Sequence, residues 1–175
     1  FDAGWTVWSF QDGELVSRDV PRFLYGYKLA EEAAFDAIML DPADLDARVQ
    51  LALVAFAQKA SVDAFGASAG GEELEKLREH LAGVTALAAS QGVEVLNDAA
   101  MRAIAWGDTG VAREAMTALA EAWDGPPLTE ESALVQGLSS VDKGIRYAAV
   151  AGLAHLAPQE SFPSTELVMP LSLIH

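Results

Sequence analysis

The chain has 175 residues, 51% of them hydrophobic, which is enough apolar material for one sizeable core and excludes an unfolded tail. Its 26 Asp and Glu outnumber 11 Lys and Arg, and the resulting formal charge of −15 repels the phosphates of nucleic acid. The absence of cysteine excludes disulfides and thiolate zinc sites, and no apolar run approaches the roughly 18 residues of a membrane span.

The first twenty residues are predicted to form a short β-hairpin or an extended arm. Two segments rich in β-branched and aromatic residues, 5–10 and 15–20, flank an Asp-Gly pair, which is a strong turn signal. Two strands alone are marginally stable in water, so we expect Trp5, Trp8 and Phe10 to pack on the first helix. An aromatic ligand platform formed by the two tryptophans is the alternative.

Residues 21–65 are predicted to form two helices. The first is capped by Asp19 and runs to about Leu40. Asp41 is the predicted N-cap of the second helix, which ends by Phe65.

Small residues and a proline form a pattern in this pair of helices, at Ala30, Ala34, Ala37 and Pro42. The pattern resembles the second half of a tetratricopeptide repeat, in which small residues let two helices approach and proline ends the hairpin. The resemblance implies that residues 21–65 form a helical hairpin of this kind.

Glycine dominates the next segment, Gly66–Gly71, which is predicted to be a flexible linker. A phosphate-binding loop is not expected, because no strand precedes the segment and no Gly-Lys-Ser or Gly-Lys-Thr follows it. A third helix is predicted from Glu72 to about Ala89, since leucine and valine recur there at helical spacing.

The C-terminal half contains an internal repeat with a shift of 34 residues, from Asp108 to Asp142. Each aspartate lies in a tight turn, and helices are predicted at about 93–105, 109–123, 129–138 and 142–156. Apolar residues coincide at five pairs of positions: Met101/Val135, Ile104/Leu138, Val111/Ile145, Met116/Val150 and Leu119/Leu153.

The second unit of this repeat has Ile145 and Arg146 after the turn aspartate Asp142. This arrangement resembles the turn aspartate and the Val-Arg pair of a HEAT repeat, a two-helix module. The first unit keeps Asp108, with Ala112 in place of the arginine. The chain as a whole is similar to large bacterial HEAT-repeat proteins.

That resemblance implies an all-α fold, a right-handed α-α superhelix (HEAT-like solenoid) with a short N-terminal β-hairpin or extended arm. Four segments are predicted: the arm at 1–20, the tetratricopeptide-like hairpin at 21–65, the linker at 66–71 and HEAT-like repeats at 72–175. The last repeat is incomplete, because a third unit starts at Ser164 without its second helix. We expect a fragment of a larger bacterial protein, soluble and either cytoplasmic or extracytoplasmic.

No catalytic or metal-binding pattern stands out in the sequence. The three histidines each stand alone, without the His-Glu pairs that bind iron in deoxyhypusine hydroxylase, a helical-repeat enzyme. Most acidic clusters fall in first turns of predicted helices, where they offset the helix dipole. Calcium binding at Asp41, Asp44 and Asp46 is an alternative, although the glycine and glutamate of an EF-hand loop are missing.

We therefore expect a non-enzymatic scaffold that mediates protein-protein interaction and needs no cofactor or metal. Its acidic stretch, residues 31–46, is expected to attract a basic partner. A helical-repeat enzyme, such as a bilin lyase or a metal-dependent hydroxylase, is the alternative, and a structural spacer is a third possibility. The candidate partner-binding residues lie on second helices of the repeat units: Arg113, Met116, Arg146, Tyr147 and Val150.

Overall fold

A computed structural model describes residues 4–11, 13–66, 71–124, 127–157 and 162–168. Over these ranges the protein is mainly helical, with one small N-terminal sheet, and the predicted helical class and hairpin are confirmed. The elements are β1 Trp5–Gln11, β2 Glu14–Val20, α1 Tyr25–Leu40, α2 Leu45–Gly66, α3 Glu72–Ala89, α4 Val93–Trp106, α5 Thr109–Ala122, α6 Ala133–Gly137 and α7 Lys143–Leu156.

The N-terminal hairpin is antiparallel, and its turn contains Gly13 with a φ of 84°. Glycine adopts this left-handed conformation without the steric cost that other residues incur, as the Asp-Gly signal indicated. Residues 67–70 of the predicted flexible linker lie outside the described ranges.

The two faces of the hairpin differ in burial. Val7 and Val20 are buried, and Trp5 packs edge-on against Tyr25 of α1 with 4.8 Å between ring centroids. Trp8 points to the opposite face because side chains alternate along a strand, and it is mostly exposed. The expected packing on the first helix is therefore confirmed for Trp5 and wrong for Trp8, while the side chain of Phe10 lies outside the described ones.

Both predicted caps of the N-terminal helices are wrong. Asp19 belongs to β2, where it accepts a hydrogen bond of 2.8 Å from Thr6 Oγ1 on the paired strand. A 3₁₀ turn precedes α1, which has no side-chain cap. Asp41 accepts from the Ala43 amide in the connecting turn, so α2 begins three residues later than predicted, and Asp44 caps it through the Ala47 amide at 3.0 Å.

The turns of the two repeat units are built alike. Asp108 caps α5 by accepting from the Val111 amide, and Asp142 caps α7 by accepting from the Ile145 amide, each at 3.0 Å. The hydrogen bond from the Ile145 amide lowers the pKa of Asp142 most strongly. Hydrogen bonds from the Thr109 side chain and the Gly144 amide lower it further. The sequence equivalence of the two aspartates thus extends to their role in the structure.

Helix α6 is shorter than predicted because a side chain of α4 fixes its start. Asn97 donates from Nδ2 to the Glu131 carbonyl at 3.2 Å and accepts at Oδ1 from the Ala133 amide at 2.8 Å. These bonds hold residues 129–132 as a turn, and α6 begins only at Ala133. One repeat unit is therefore connected directly to the first helix of the next.

The main core lies between α2 and the four helices of the repeat. Helix α4 packs on α5, α6 on α7 and α5 on α7, while α2 contacts α3, α4 and α5. Leu119 and Leu153 are 0% and 2% exposed, so the matched positions of the two units both point inward. The start of the predicted third unit forms a short 3₁₀ turn, Thr165–Leu167, and residues 169–175 lie outside the described ranges.

Candidate functional site

The residues predicted to contact a partner on α5 have separate local roles. Met116 is fully buried in the main core, so its side chain is inaccessible to a partner and the prediction for it is wrong. The apolar character of this position reflects packing between helices. Arg113 is exposed and donates from Nη2 to Glu114 Oε1 at 3.0 Å.

The three predicted residues of α7 also make local contacts. Arg146 Nη1 donates to two carbonyl oxygens of the preceding turn, at 2.8 and 3.0 Å. The ammonium of Lys143 lies 5.1 Å from the centre of the Tyr147 ring, a cation-π distance, and Val150 packs partly buried against the core. Partner binding stays a prediction for the four residues of the set that are not buried, namely Arg113, Arg146, Tyr147 and Val150.

A groove of about 430 Å³ lies between the hairpin and α1, far in sequence from these residues. We call it the hairpin groove. It combines apolar side chains with charged groups of both signs. Its lining residues are Val7, Trp8, Ser9, Val16, Arg18 and Val20 of the hairpin, and Lys28, Glu31, Glu32, Phe35 and Asp36 of α1.

Strand and helix periodicity explain why these residues converge. Val7 pairs with Arg18 and Ser9 with Val16 in the antiparallel register, so alternation directs all four side chains to the same face of the hairpin. The lining residues of α1 recur every three or four positions, which places them on one side of that helix. The groove is therefore formed by one face of the hairpin and one side of α1, with Trp8 as the exception among the lining residues.

The floor of the groove is a buried ion pair. Lys28 Nζ lies 2.7 Å from Glu31 Oε1, and the two side chains are only 12% and 10% exposed. Gln58 of α2, which is fully buried, donates from Nε2 to the other carboxylate oxygen of Glu31. Among the described residues, no group donates to Gln58 Oε1. Both oxygens of Glu31 are thus occupied, and its charge is compensated.

Two other carboxylates of the groove have no such compensation. Between Leu29 and Ala47 the chain has six carboxylates and no Lys or Arg. Glu32 and Asp36 alone among these six have no hydrogen bond or ion pair with another described residue. The other four are used: Glu31 by Lys28 and Gln58, Asp41 and Asp44 by backbone amides, and Asp46 by Arg102.

The electrostatic environment of Glu32 reflects this imbalance. Burial raises the pKa of Glu32 first of all, and the nearby charges of Glu31 and Asp36 raise it further. Lys28 acts in the opposite direction with a smaller effect. The groove therefore holds negative charge that the protein itself does not neutralise, and an added cation would be favoured there.

Arg18 connects the groove to α3. Its Nη1 lies 3.2 Å from His80 Nε2, and because a guanidinium only donates, Nε2 accepts and the histidine is neutral in this contact. Burial lowers the pKa of His80, and the positive charges of Lys28 and Arg18 lower it further. On the far side of Arg18 lies a second cleft of about 370 Å³, lined also by Lys76 and Leu77.

The lowered pKa of the partly buried His80 predicts a pH dependence of stability. Below the ordinary histidine pKa of 6.5, His80 is protonated in the unfolded chain, whereas in the folded protein it stays neutral until the pH reaches its lower folded pKa. The free energy of unfolding is therefore expected to fall as the pH is lowered from about 6.5 through the depressed folded pKa. Urea unfolding between about pH 5 and pH 8 measures this slope, which should be smaller in His80→Gln. An unchanged slope in the variant would assign the dependence to other groups.

Sequence patterns did not identify Arg18, Lys28 or Gln58 as members of a site. Arg18 and Lys28 are ordinary charged residues in their own segments, and only the fold brings them together. Gln58 gave only a weak signal, because it is a polar residue at the end of the apolar run 51–57 of α2 and is itself followed by Lys59. Such a residue is buried only where it finds a hydrogen-bond partner, which here is Glu31.

Within the ranges that the structure describes, no three His, Asp or Glu side chains are grouped closely enough to hold a metal ion. Likewise, none of the described helices combines the length and the apolar character needed to cross a membrane.

No protein-family model matches the chain, and no curated protein or solved structure is significantly similar to it.

Proposed function

We propose that this protein is a non-enzymatic helical-repeat scaffold that mediates protein-protein interaction. The observation that supports it best is the pair of turns capped by Asp108 and Asp142, which are equivalent in sequence and in hydrogen bonding. Helical pairs repeated at a fixed spacing stack on one another and present extended surfaces to other proteins. The architecture we infer is a right-handed α-α superhelix of the HEAT type, preceded by a tetratricopeptide-like pair formed by α1 and α2.

Contacts between the units support this inference. The second helices of the two units, α5 and α7, pack on each other, and α2 packs on α5 in turn. Asn97 bonds the first helix of one unit to the start of the next unit. Each unit therefore covers the apolar face of its neighbour, which is how stacked repeats gain their stability.

The charge of the chain defines the kind of partner. At a formal −15 the surface attracts basic proteins and repels nucleic acid. Association with such a partner is expected to be faster at low ionic strength, because long-range attraction raises the encounter rate and salt screens it.

Affinity capture with the whole chain, followed by mass spectrometry and reconstitution with the purified partner, tests this proposal. We expect one partner to recur in independent captures, to bind the purified chain directly and to associate more slowly as salt is added. A bound chromophore or a stoichiometric transition metal in the purified protein would instead indicate a helical-repeat enzyme, such as a bilin lyase or a metal-dependent hydroxylase.

A further inference from the structure

We propose that the hairpin groove is the docking site for a basic segment of a partner protein, with an Arg or Lys side chain seated against Glu32 and Asp36. This inference rests on the proposed function as a protein-binding scaffold and assigns the surface that carries it. Three features of the groove define the occupant. Two of its carboxylates are uncompensated, its own Lys and Arg side chains are already bound to other groups, and apolar surface lies beside it.

The uncompensated charge comes from Glu32 and Asp36. They are one helical turn apart on α1, a spacing at which two like charges repel. Neither has a hydrogen bond or an ion pair with another described residue, although four neighbouring carboxylates of the same stretch do. A cation placed between them removes the repulsion and supplies charge-assisted hydrogen bonds, which are about twice as strong as neutral ones.

The cations of the groove do not fill this role. Lys28 is bound to Glu31 on the floor, and both are nearly buried. Arg18 donates to His80 of α3. An acidic ligand would therefore meet a net negative site, whereas a basic ligand meets two free carboxylates.

Apolar surface continues from the groove along α1. Phe35 lines the groove, and Met39 and Leu40 follow it one turn later with 81% and 89% of their surface exposed. Val16, also partly exposed, faces the groove from the hairpin. Acidic and apolar groups side by side match a segment that alternates basic and apolar residues, because each part of the ligand finds its complement.

A direct test uses the whole chain, labelled with ¹⁵N, and a blocked peptide of the sequence Gly-Leu-Arg-Leu-Gly. Its counterpart with citrulline in place of arginine has the same shape without the charge. We expect the arginine peptide to shift the amide signals of Glu32, Phe35 and Asp36 and of facing strand residues. The citrulline peptide should bind at least about tenfold more weakly, since the charged hydrogen bonds are lost.

Two double variants with equal changes of charge separate a site from general attraction. Glu32→Gln with Asp36→Asn should weaken binding of the arginine peptide by about tenfold or more. Glu130→Gln with Glu131→Gln alters two exposed carboxylates before α6 and should leave binding within about twofold. Equal losses in both variants, or equal binding of the citrulline peptide, would overturn the inference.

The same variants distinguish failure of the groove from failure of the scaffold. If the captured partner binds the Glu32→Gln, Asp36→Asn variant as well as the original chain, the scaffold stands and the groove is not its docking site. If no partner binds the original chain directly, the scaffold itself is contradicted. Unfolding curves should show that neither variant is less stable than the original chain, so that neither result comes from loss of the fold.

Discussion

Replacing Leu119 or Leu153 with alanine is expected to lower the free energy of unfolding by about 2 to 5 kcal/mol. The two side chains are 0% and 2% exposed and occupy matched positions in α5 and α7, which pack on each other. Truncation removes buried methyl groups and leaves a cavity that the surrounding helices close only in part.

Urea unfolding followed by circular dichroism measures this loss at each position. Leu87→Ala is the matched control, because Leu87 is a helical leucine with an exposed side chain on α3 and should change stability by less than about 0.5 kcal/mol. A loss this small at both Leu119 and Leu153 would show that the register of the repeat is wrong.

The second large effect is expected at the floor of the hairpin groove. Lys28→Met should lower the free energy of unfolding by about 3 to 5 kcal/mol, because it leaves the carboxylate of Glu31 nearly buried without its cation. Changing both partners, Lys28→Met with Glu31→Leu, should recover much of that loss, since no buried charge is then left unpaired.

Chemical unfolding near neutral pH gives the comparison. Lys76→Met is the matched control, since Lys76 pairs with Glu72 at 2.8 Å in an exposed i,i+4 pair whose contribution is under about 1 kcal/mol. A double variant as unstable as Lys28→Met alone would mean that the loss comes from packing and not from the unpaired charge.

Local signals predicted the parts of this fold that depend on neighbouring residues. The bounds of α3 and the tight turns at Asp108 and Asp142 follow from glycines, leucine spacing and turn aspartates within a few positions of each helix end, whereas the capping bonds of the two aspartates were found only in the structure. Asp19 gave a false signal for the opposite reason. Its side chain is held by Thr6 on the paired strand, and no pattern near Asp19 contains that contact.

The groove depends on contacts between distant segments, which the sequence does not display. Arg18 and Glu32 belong to a strand and a helix, and only their packing places them around one cavity, while Arg18 also reaches His80 of another helix. The acidic stretch was visible in the sequence, but which of its carboxylates remain free was not. Met116 shows the same limit, because an apolar position in a repeat identifies a helix face without deciding whether that face meets solvent or another helix.

The attachment of the hairpin at two places has a consequence for binding. Trp5 contacts Tyr25 at the start of α1, Arg18 contacts His80 on α3, and both helices pack on α2. Hairpin, α1, α2 and α3 thus form a closed ring of contacts, in which no wall of the cavity moves without disturbing another contact. A ligand entering such a preorganised cavity orders few protein groups, so little conformational entropy is lost on association and more of the contact energy appears as affinity.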